Sequence, residues 1–299
     1  MNGSVVVFDP HGEYGRAFEG GQLRTNPELD DVDDPRDKGV LPRIVDTLKK
    51  LQEMDGGILV YTPQDNSFDH KYGGTNRRLA LQFDHFGLDA VGEILPGLTE
   101  PQARVLDVAI RKWRKEEKDP PRDVNTLLDL LSRRLDDVRN DPDLDLTDAE
   151  RNALGARSAA IAGMRLRQVL HEANAFYTSA CEHPTSIKEL IGKRGTGVGR
   201  LVIIDLQGLS DDARQIIVAL VSSEILQAAT DKTEPTRPCF LVYEEGHNFA
   251  PAGGQSISRS IIKKIAGEGR KFGVGFAVIS QRPSKLDSDV TSQCNTLIT

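Results

Sequence analysis

The sequence predicts an α/β fold: a parallel sheet flanked by helices and interrupted by a helical insertion. Three observations carry that expectation. Short continuous apolar runs recur along the chain, among them Val5–Phe8, Leu201–Ile204, Phe240–Tyr243 and Gly275–Ile279. Strands buried on both faces of a parallel sheet read this way. Each of these runs ends in a carboxylate or another polar group, as strands do at a ligand-binding edge. From about Gly92 to Leu190 the strand signal gives way to helical spacing alone.

Taken in order, Val5–Phe8 is the first strand and delivers Asp9-Pro10-His11-Gly12-Glu13-Tyr14 to its end. The acidic stretch Asn26–Lys38 reads as an exposed loop, and Leu41–Met54 as an amphipathic helix packed on the sheet. Ile58–Tyr61 and Leu79–Phe83 read as further strands. Helices are expected over Pro101–Lys118, Asp123–Arg139, Thr147–Val169 and Ser186–Ile191. Thr147-Asp148-Ala149-Glu150 carries a capping-box pattern, in which the first hydroxyl and the later carboxylate each satisfy a free amide. The sheet resumes with Leu201–Asp205, followed by a helix over Asp211–Ala229. Phe240–Tyr243 leads into Glu244-Glu245-Gly246-His247-Asn248. Ser258–Gly267 has helical spacing, with Ile261, Ile262 and Ile265 on one face. Gly275–Ile279 then ends in Ser280-Gln281-Arg282-Pro283, and Thr296–Thr299 reads as the start of another strand. The expected organisation is a core over 1–91, the insertion over 92–194 and the core again over 195–299.

Two adjacent carboxylates where a strand emerges suit metal and water chemistry: one can hold the magnesium shell while the other orients or deprotonates an attacking water. A strand end with two solvated acids is the alternative reading of Glu244 and Glu245. Gly267-Glu268-Gly269-Arg270-Lys271-Phe272-Gly273 places a guanidinium on a glycine-rich turn from which it can reach outward.

With Asp9–Tyr14, Glu244–Asn248, Glu268–Gly273 and Ser280–Pro283 in that order, the chain resembles the HerA branch of the HerA/FtsK family of ring-forming, DNA-translocating ATPases. The family pattern reads Asp-Pro-His-Gly-Glu-Tyr, Asp-Glu-Ala-His-Asn, Glu-Gly-Arg-Lys-Phe-Gly and Ser-Gln-Arg-Pro. Two departures stand in the second motif: Glu244 where the family usually has Asp, and Gly246 where it usually has Ala. The second reads as mild. The resemblance implies a RecA-like P-loop NTPase core, ATP and Mg2+ as cofactors, and double-stranded DNA as substrate in end processing and repair. It implies a homo-oligomer, a hexameric ring, and a NurA-like nuclease as partner. In that frame Glu245 is the base that polarises water, Glu244 and Asp9 support the metal, and Gln281 senses the γ-phosphate. Arg270 is a finger reaching the nucleotide of the adjacent subunit, and Asp9, His11, Glu13 and Arg282 line the nucleotide. A conjugation or secretion ATPase of the related VirB4 type, and a non-catalytic ring component, remain the alternatives.

A phosphate-cradling loop needs Gly-x-x-x-x-Gly-Lys-Ser/Thr, so that glycine amides approach the phosphates and the lysine neutralises them. No such string occurs: around Gly192-Lys193 the first glycine position holds Ile187 and the residue after the lysine is Arg194. Gly195–Gly199 precedes a strand and reads as a turn. In the family the phosphate loop precedes the Asp-Pro-His-Gly-Glu-Tyr strand, so the chain is expected to be a piece of a longer ATPase, inactive alone.

Composition adds boundaries. The net charge of −7 over 299 residues gives no overall basic footprint, although a ring needs lysine and arginine only along its pore. Three cysteines far apart in sequence form no ligand pair, so a reduced, cytoplasmic setting is expected. No run approaches a membrane helix, and the first twenty residues lack a basic start and apolar signal core. Asp205 also ends a strand but has no second acid beside it. His11 and His247 read as hydrogen-bonding neighbouring loops, because no further ligand is suitably spaced. Arg111, Lys112, Arg114, Lys115 and Lys118, interleaved with Glu116 and Glu117, read as a solvated helix face. Lys193, Arg194 and Arg200 read as a solvated turn. Pro251–Ser260, with Arg259, is the candidate DNA-contacting loop.

Overall fold

The computed structural model describes residues 3–16, 48–51, 53, 57–63, 76–83, 95, 98–119, 121–173, 176, 178, 184–192, 199–231, 236–253 and 256–298. The expected Asn26–Lys38 loop, most of the Leu41–Met54 helix and the Gly195–Val198 turn lie outside these residues. The chain forms two compact units. The first comprises 1–79, 185–208 and 221–299; the second comprises 80–184 and 209–220.

The first unit is built on six parallel strands: β1 (Ser4–Asp9), β2 (Ile58–Thr62), β3 (Asn76–Arg78), β4 (Leu201–Asp205), β5 (Cys239–Tyr243) and β6 (Val274–Val278). Their order across the sheet is β3-β2-β4-β1-β5-β6. Parallel pairing follows from continuous apolar stretches with no alternation, which require cover on both faces. β1, bonded to β4 on one side and β5 on the other, is buried almost throughout. The Phe8 and Tyr243 rings stack on neighbouring strands with centroids 5.3 Å apart, and the Tyr243 hydroxyl meets Ser222 Oγ at 3.1 Å.

The expected strand over Leu79–Phe83 lies elsewhere: the strand is Asn76–Arg78, and the Leu79 amide still bonds the Thr62 carbonyl. Leu81 then makes an isolated bridge with Phe176, and Phe83 packs on Phe176 and Trp113, all within the second unit. Those side chains are apolar because they belong to the helical core, a reason that leaves the same trace in sequence as a buried strand. At the other end of the chain, Leu297 and Ile298 form no strand and are exposed.

The second unit holds α2 (Glu100–Glu116), α3 (Val124–Ser132), α4 (Leu135–Arg139), α5 (Asp148–Ala153) and α6 (Ala156–Ala173). The first unit carries α1 (Glu13–Arg16), α7 (Ile187–Ile191), α9 (Arg259–Glu268) and α10 (Ser288–Ser292); α8 (Asp211–Thr230) contributes residues to both units. Two expected long helices are each broken once. Asp123–Arg139 divides at Arg133-Arg134, where both amides bond the Asp129 carbonyl and Arg134 is held by Glu116 and Asp137. Thr147–Val169 divides at Leu154-Gly155, after a short helix that opens with the expected capping box.

The charged face of α2 is a tether in this structure. Trp113 is fully buried and its indole N–H donates to the Asp123 carbonyl at 3.0 Å. Lys112 and Lys115 converge on Asp141, with Nζ at 2.8 and 2.9 Å, and the Asp143 amide donates to it as well. The two ammonium groups and that amide hold the Asp141 carboxyl well below the usual carboxylate range. A carboxyl depressed in the folded state stabilises above its unfolded pKa of about 3.9 and loses that contribution as pH falls through the folded value. Asp141→Asn should therefore lower the thermal midpoint of the helical unit most at neutral pH. The gap to wild type should close on acidification. Trp113, the sole tryptophan, reports this unit by fluorescence; a gap independent of pH would contradict the tether.

Strand β6 is an edge among the described residues. The Ile279 amide bonds the Tyr243 carbonyl and the Cys239 amide bonds the Gly273 carbonyl, so odd-numbered residues of this strand face β5. Phe276 and Val278 turn their amides outward. Phe240, Phe272 and Ile279, each more than two-fifths exposed, lie on or beside β5 and β6. Such an apolar edge templates association. Hydrogen exchange should find Phe276 and Val278 exchanging much faster than Ala277 and Ile279. Equal protection would mean that a further strand covers the edge.

Candidate functional site

Because all six strands run the same way, their carboxyl ends fall along one edge of the sheet. The register sets Asp9 beside Asp205, Phe8 beside Tyr243, and Tyr243 beside Val278. Asp9 is fully buried. Its Oδ1 accepts from the amides of His11, Gly12 and Glu13 at 3.3, 2.8 and 3.2 Å, and its Oδ2 accepts from Tyr14 at 2.8 Å. The carboxylate wraps the chain into a turn and starts α1. Gly12 has φ 71° there, and a Cβ on it would sit 2.8 Å from Gln207 Oε1, so only glycine closes the turn. Both Asp9 oxygens accept backbone amides, an arrangement that builds the loop. Asp205 is likewise buried, with Oδ1 accepting from the Gln207 amide at 2.9 Å.

His11, Glu13 and Tyr14 stand exposed on this turn. Tyr14 reaches across to β5, its hydroxyl donating to Glu244 Oε2 at 2.9 Å. Partial burial, with the Glu244 carboxylate accepting its hydrogen, pushes the phenol up, so it stays a donor.

After Tyr243 the chain turns sharply. Glu245 has φ 49° and ψ 43°, the one non-glycine residue with positive φ among those described. Left-handed backbone costs an L-residue about 1 kcal/mol, and such strain clusters at functional sites. Gly246 follows, its amide bonded to the Ile279 carbonyl at 2.9 Å. A Cβ there would lie 2.3 Å from Val278 Cγ1. The departure from alanine at this position is therefore matched to the valine on the next strand, and it is not mild. His247 places Nδ1 at 3.1 Å from Glu245 Oε2 and 3.0 Å from Ser280 Oγ. Beyond it, Gln281 and Arg282 are exposed at the end of β6, with the Arg282 amide donating to Ser280 Oγ. The segments after His247 and after Arg282 are joined again where the Asp287 amide bonds the Ala250 carbonyl. Arg259, considered for DNA contact, is in an ion pair with the nearly buried Asp287, Nε to Oδ2 at 2.6 Å.

The structure thus brings Asp9, His11, Glu13, Glu244, Glu245, Gln281 and Arg282 to one edge. Arg270 is not among them. It lies exposed in the 3₁₀ turn Gly269–Phe272, before β6 begins, and its side chain has no bonded partner among the described residues. Five strand residues at about 3.3 Å each put it roughly 15 Å or more from the carboxyl edge. No group of three or more His, Cys, Asp or Glu side chains among the described residues is arranged to hold a metal by itself. Two bridging groups had no site role in the sequence reading, Tyr14 and Ser280, and the link from His247 to Glu245 was not foreseen. Tyr14 to Glu244 and Ser280 to His247 are contacts between different strands' loops, whereas His247 and Glu245 lie two residues apart in one loop; only the motif containing each residue marked its neighbourhood.

Six parallel strands with paired acids and a glutamine loop at their carboxyl edge define a RecA-like P-loop NTPase core. The plasmid coupling protein TrwB in complex with the non-hydrolysable ATP analogue ADPNP shares this fold, with a TM-score of 0.50, 15% identity, and 97% of this chain and 68% of that one covered. More specifically, the chain belongs to the family described as Helicase HerA, central domain, which matches residues 1–225. The DNA double-strand break repair helicase HerA of Pyrococcus furiosus is 54% identical over 61 residues, 20% of this chain and 11% of that protein. The probable helicase MJ1565 of Methanocaldococcus jannaschii is 37% identical over 101 residues, 32% of this chain and 20% of that protein. The chain therefore spans at most about a fifth of these relatives' length.

Gly246→Ala should destabilise the first unit by about 1–3 kcal/mol, the usual cost of overpacking. Val278→Ala in that background should recover part of it, giving a coupling energy of about 1 kcal/mol in a double-mutant cycle by denaturant unfolding. Strict additivity would show that the two side chains do not compete for the same space.

Proposed function

We propose that this chain supplies the water-activating side of an ATP-hydrolysing site in a double-stranded DNA translocase or helicase acting in DNA end processing and repair. The observation that carries the reading is the division of polar groups between the two ends of the sheet. Glu244, Glu245 and Gln281 share the carboxyl edge, whereas Arg270 stands exposed at the amino end of β6, where it serves a site on another subunit better than its own. That division supports a homo-oligomeric ring, hexameric by family resemblance, which also implies a NurA-like nuclease as partner. The resemblance to the DNA double-strand break repair helicase of Pyrococcus furiosus supports the DNA-repair assignment.

In the proposed reaction Glu245 takes a proton from water as the water oxygen attacks the γ-phosphorus, the bond to the ADP oxygen breaks, and phosphate and ADP depart. Magnesium fits this donor set, because it is ordinarily held by one or two carboxylates together with substrate phosphates and water. Glu244 is the residue that would hold it, directed by the Tyr14 hydroxyl, and the ion would neutralise charge developing on the phosphates. Asp9 acts here by shaping the turn that carries His11, Glu13 and Tyr14 toward the nucleotide. Gln281 meets the γ-phosphate from the adjacent strand and Arg282 adds positive charge at the same rim. The amides and lysine of a phosphate cradle are absent from this sequence, so the complete site needs a segment that supplies them.

In a form of the protein that hydrolyses ATP, Arg270→Ala should lower ATP turnover by about a thousandfold or more while leaving nucleotide affinity and ring assembly intact. Mixing Arg270→Ala with Glu245→Gln subunits should restore part of the activity, since some interfaces then join an intact base to an intact arginine. No rescue in confirmed mixed rings would place Arg270 in its own subunit's site or make it structural.

A further inference from the structure

His247 stands where the ends of β5 and β6 meet, and one ring nitrogen faces two partners. Nδ1 lies 3.1 Å from Glu245 Oε2 and 3.0 Å from Ser280 Oγ. That nitrogen carries at most one hydrogen. A carboxylate only accepts hydrogen bonds, whereas a serine hydroxyl donates or accepts. With Nδ1 bare, its lone pair would confront the carboxylate across a site where the two side chains are only 12% and 14% exposed, and facing acceptors with little water between them are costly. With the hydrogen on Nδ1, Ser280 accepts it and the Glu245 carboxylate, 3.1 Å away, faces the positive end of the same N–H. Only this second arrangement satisfies all three groups.

Glu245 depends on this hold. Its backbone sits in the left-handed region, and no other group among the described residues bonds its carboxylate. Ser280, for its part, is the residue before Gln281 and accepts the Arg282 amide at 3.0 Å. The Gly246–Ile279 bond fixes the two strand ends beside the ring. We infer that His247 is a positioning residue: its Nδ1–H directs the Glu245 carboxylate and ties it to the loop bearing Gln281 and Arg282, so that the water-activating and phosphate-sensing groups keep one mutual geometry. The catalytic part of this inference rests on the proposed role of Glu245 as base.

Two measurements test it. In the 299-residue chain, nitrogen NMR of the neutral His247 ring at alkaline pH should show the hydrogen on Nδ1 in wild type and in Ser280→Ala. Glu245→Ala should move it toward Nε2, because the serine hydroxyl then becomes the donor to Nδ1. A ring protonated on Nε2 in wild type, or one indifferent to Glu245→Ala, would overturn the link. In a form of the protein that hydrolyses ATP, His247→Phe should lower kcat for ATP about 10- to 100-fold, the scale on which groups orienting a reactive residue act, with KM within about threefold. His247→Asn, whose amide nitrogen falls near the Nδ1 position, should recover most of the loss. His247→Phe added to Glu245→Gln should cost nothing further, since residues acting as a unit are not additive. Loss of kcat and thermal stability together, with no rescue by asparagine, would make His247 merely structural and sink the positioning role. If Glu245→Gln itself leaves turnover unchanged, the base assignment fails, and the nitrogen spectra still decide whether His247 directs that carboxylate.

Discussion

Everything at the candidate site depends on β1 lying inside a parallel sheet with a bonded neighbour on each side. A strand in that position cannot slide by one residue without turning its apolar side chains over, so its last residue is fixed in space. That residue is Asp9, and its buried carboxylate gathers four successive amides. Four amides satisfy both oxygens of this buried group. It converts the rigidity of the strand into rigidity of the turn, and the turn in turn presents Tyr14 to Glu244.

The same logic extends sideways through β5 and β6. Strand pairing sets Tyr243 beside Val278, the Gly246 amide closes onto Ile279, and His247 closes onto Ser280. Three polar loops are thereby fastened to one another by backbone register. Arg270 and Gln281 stand at opposite ends of β6, which explains why two residues close together in sequence are kept apart within the chain.

The core strands were legible because burial on both faces leaves uninterrupted Val, Ile, Leu and Phe, and the four polar motifs were legible because each directly follows or precedes such a run. The capping box at Thr147 was legible for a local reason too, since its hydrogen bonds join residues three apart. What escaped was set by distance in sequence. Leu81 and Phe83 are apolar for the sake of Phe176 and Trp113, and nothing local distinguishes that from a strand. The breaks at Arg134 and Gly155 are local turns held from other helices, by Glu116 and Asp137 on Arg134 and by Arg139 on the Leu154 carbonyl. The lysines of α2 looked solvated because Asp141, which they hold, is more than twenty residues away. The neighbourhood of Glu244 and Glu245 was marked by the sequence, whereas the bonds from Tyr14 to Glu244 and from His247 to Ser280 needed the sheet order.

The fit between Gly246 and Val278 also constrains how this site can change over generations. A methyl group gained at 246 first would pass through an overcrowded protein, while a smaller side chain at 278 gained first would pass through one with a small void. Underfilled intermediates of that size cost less than a backbone forced off its neighbour, so the two steps have a preferred order. Lineages that carry alanine beside the paired acids would then be expected to show a different residue at the end of the following strand.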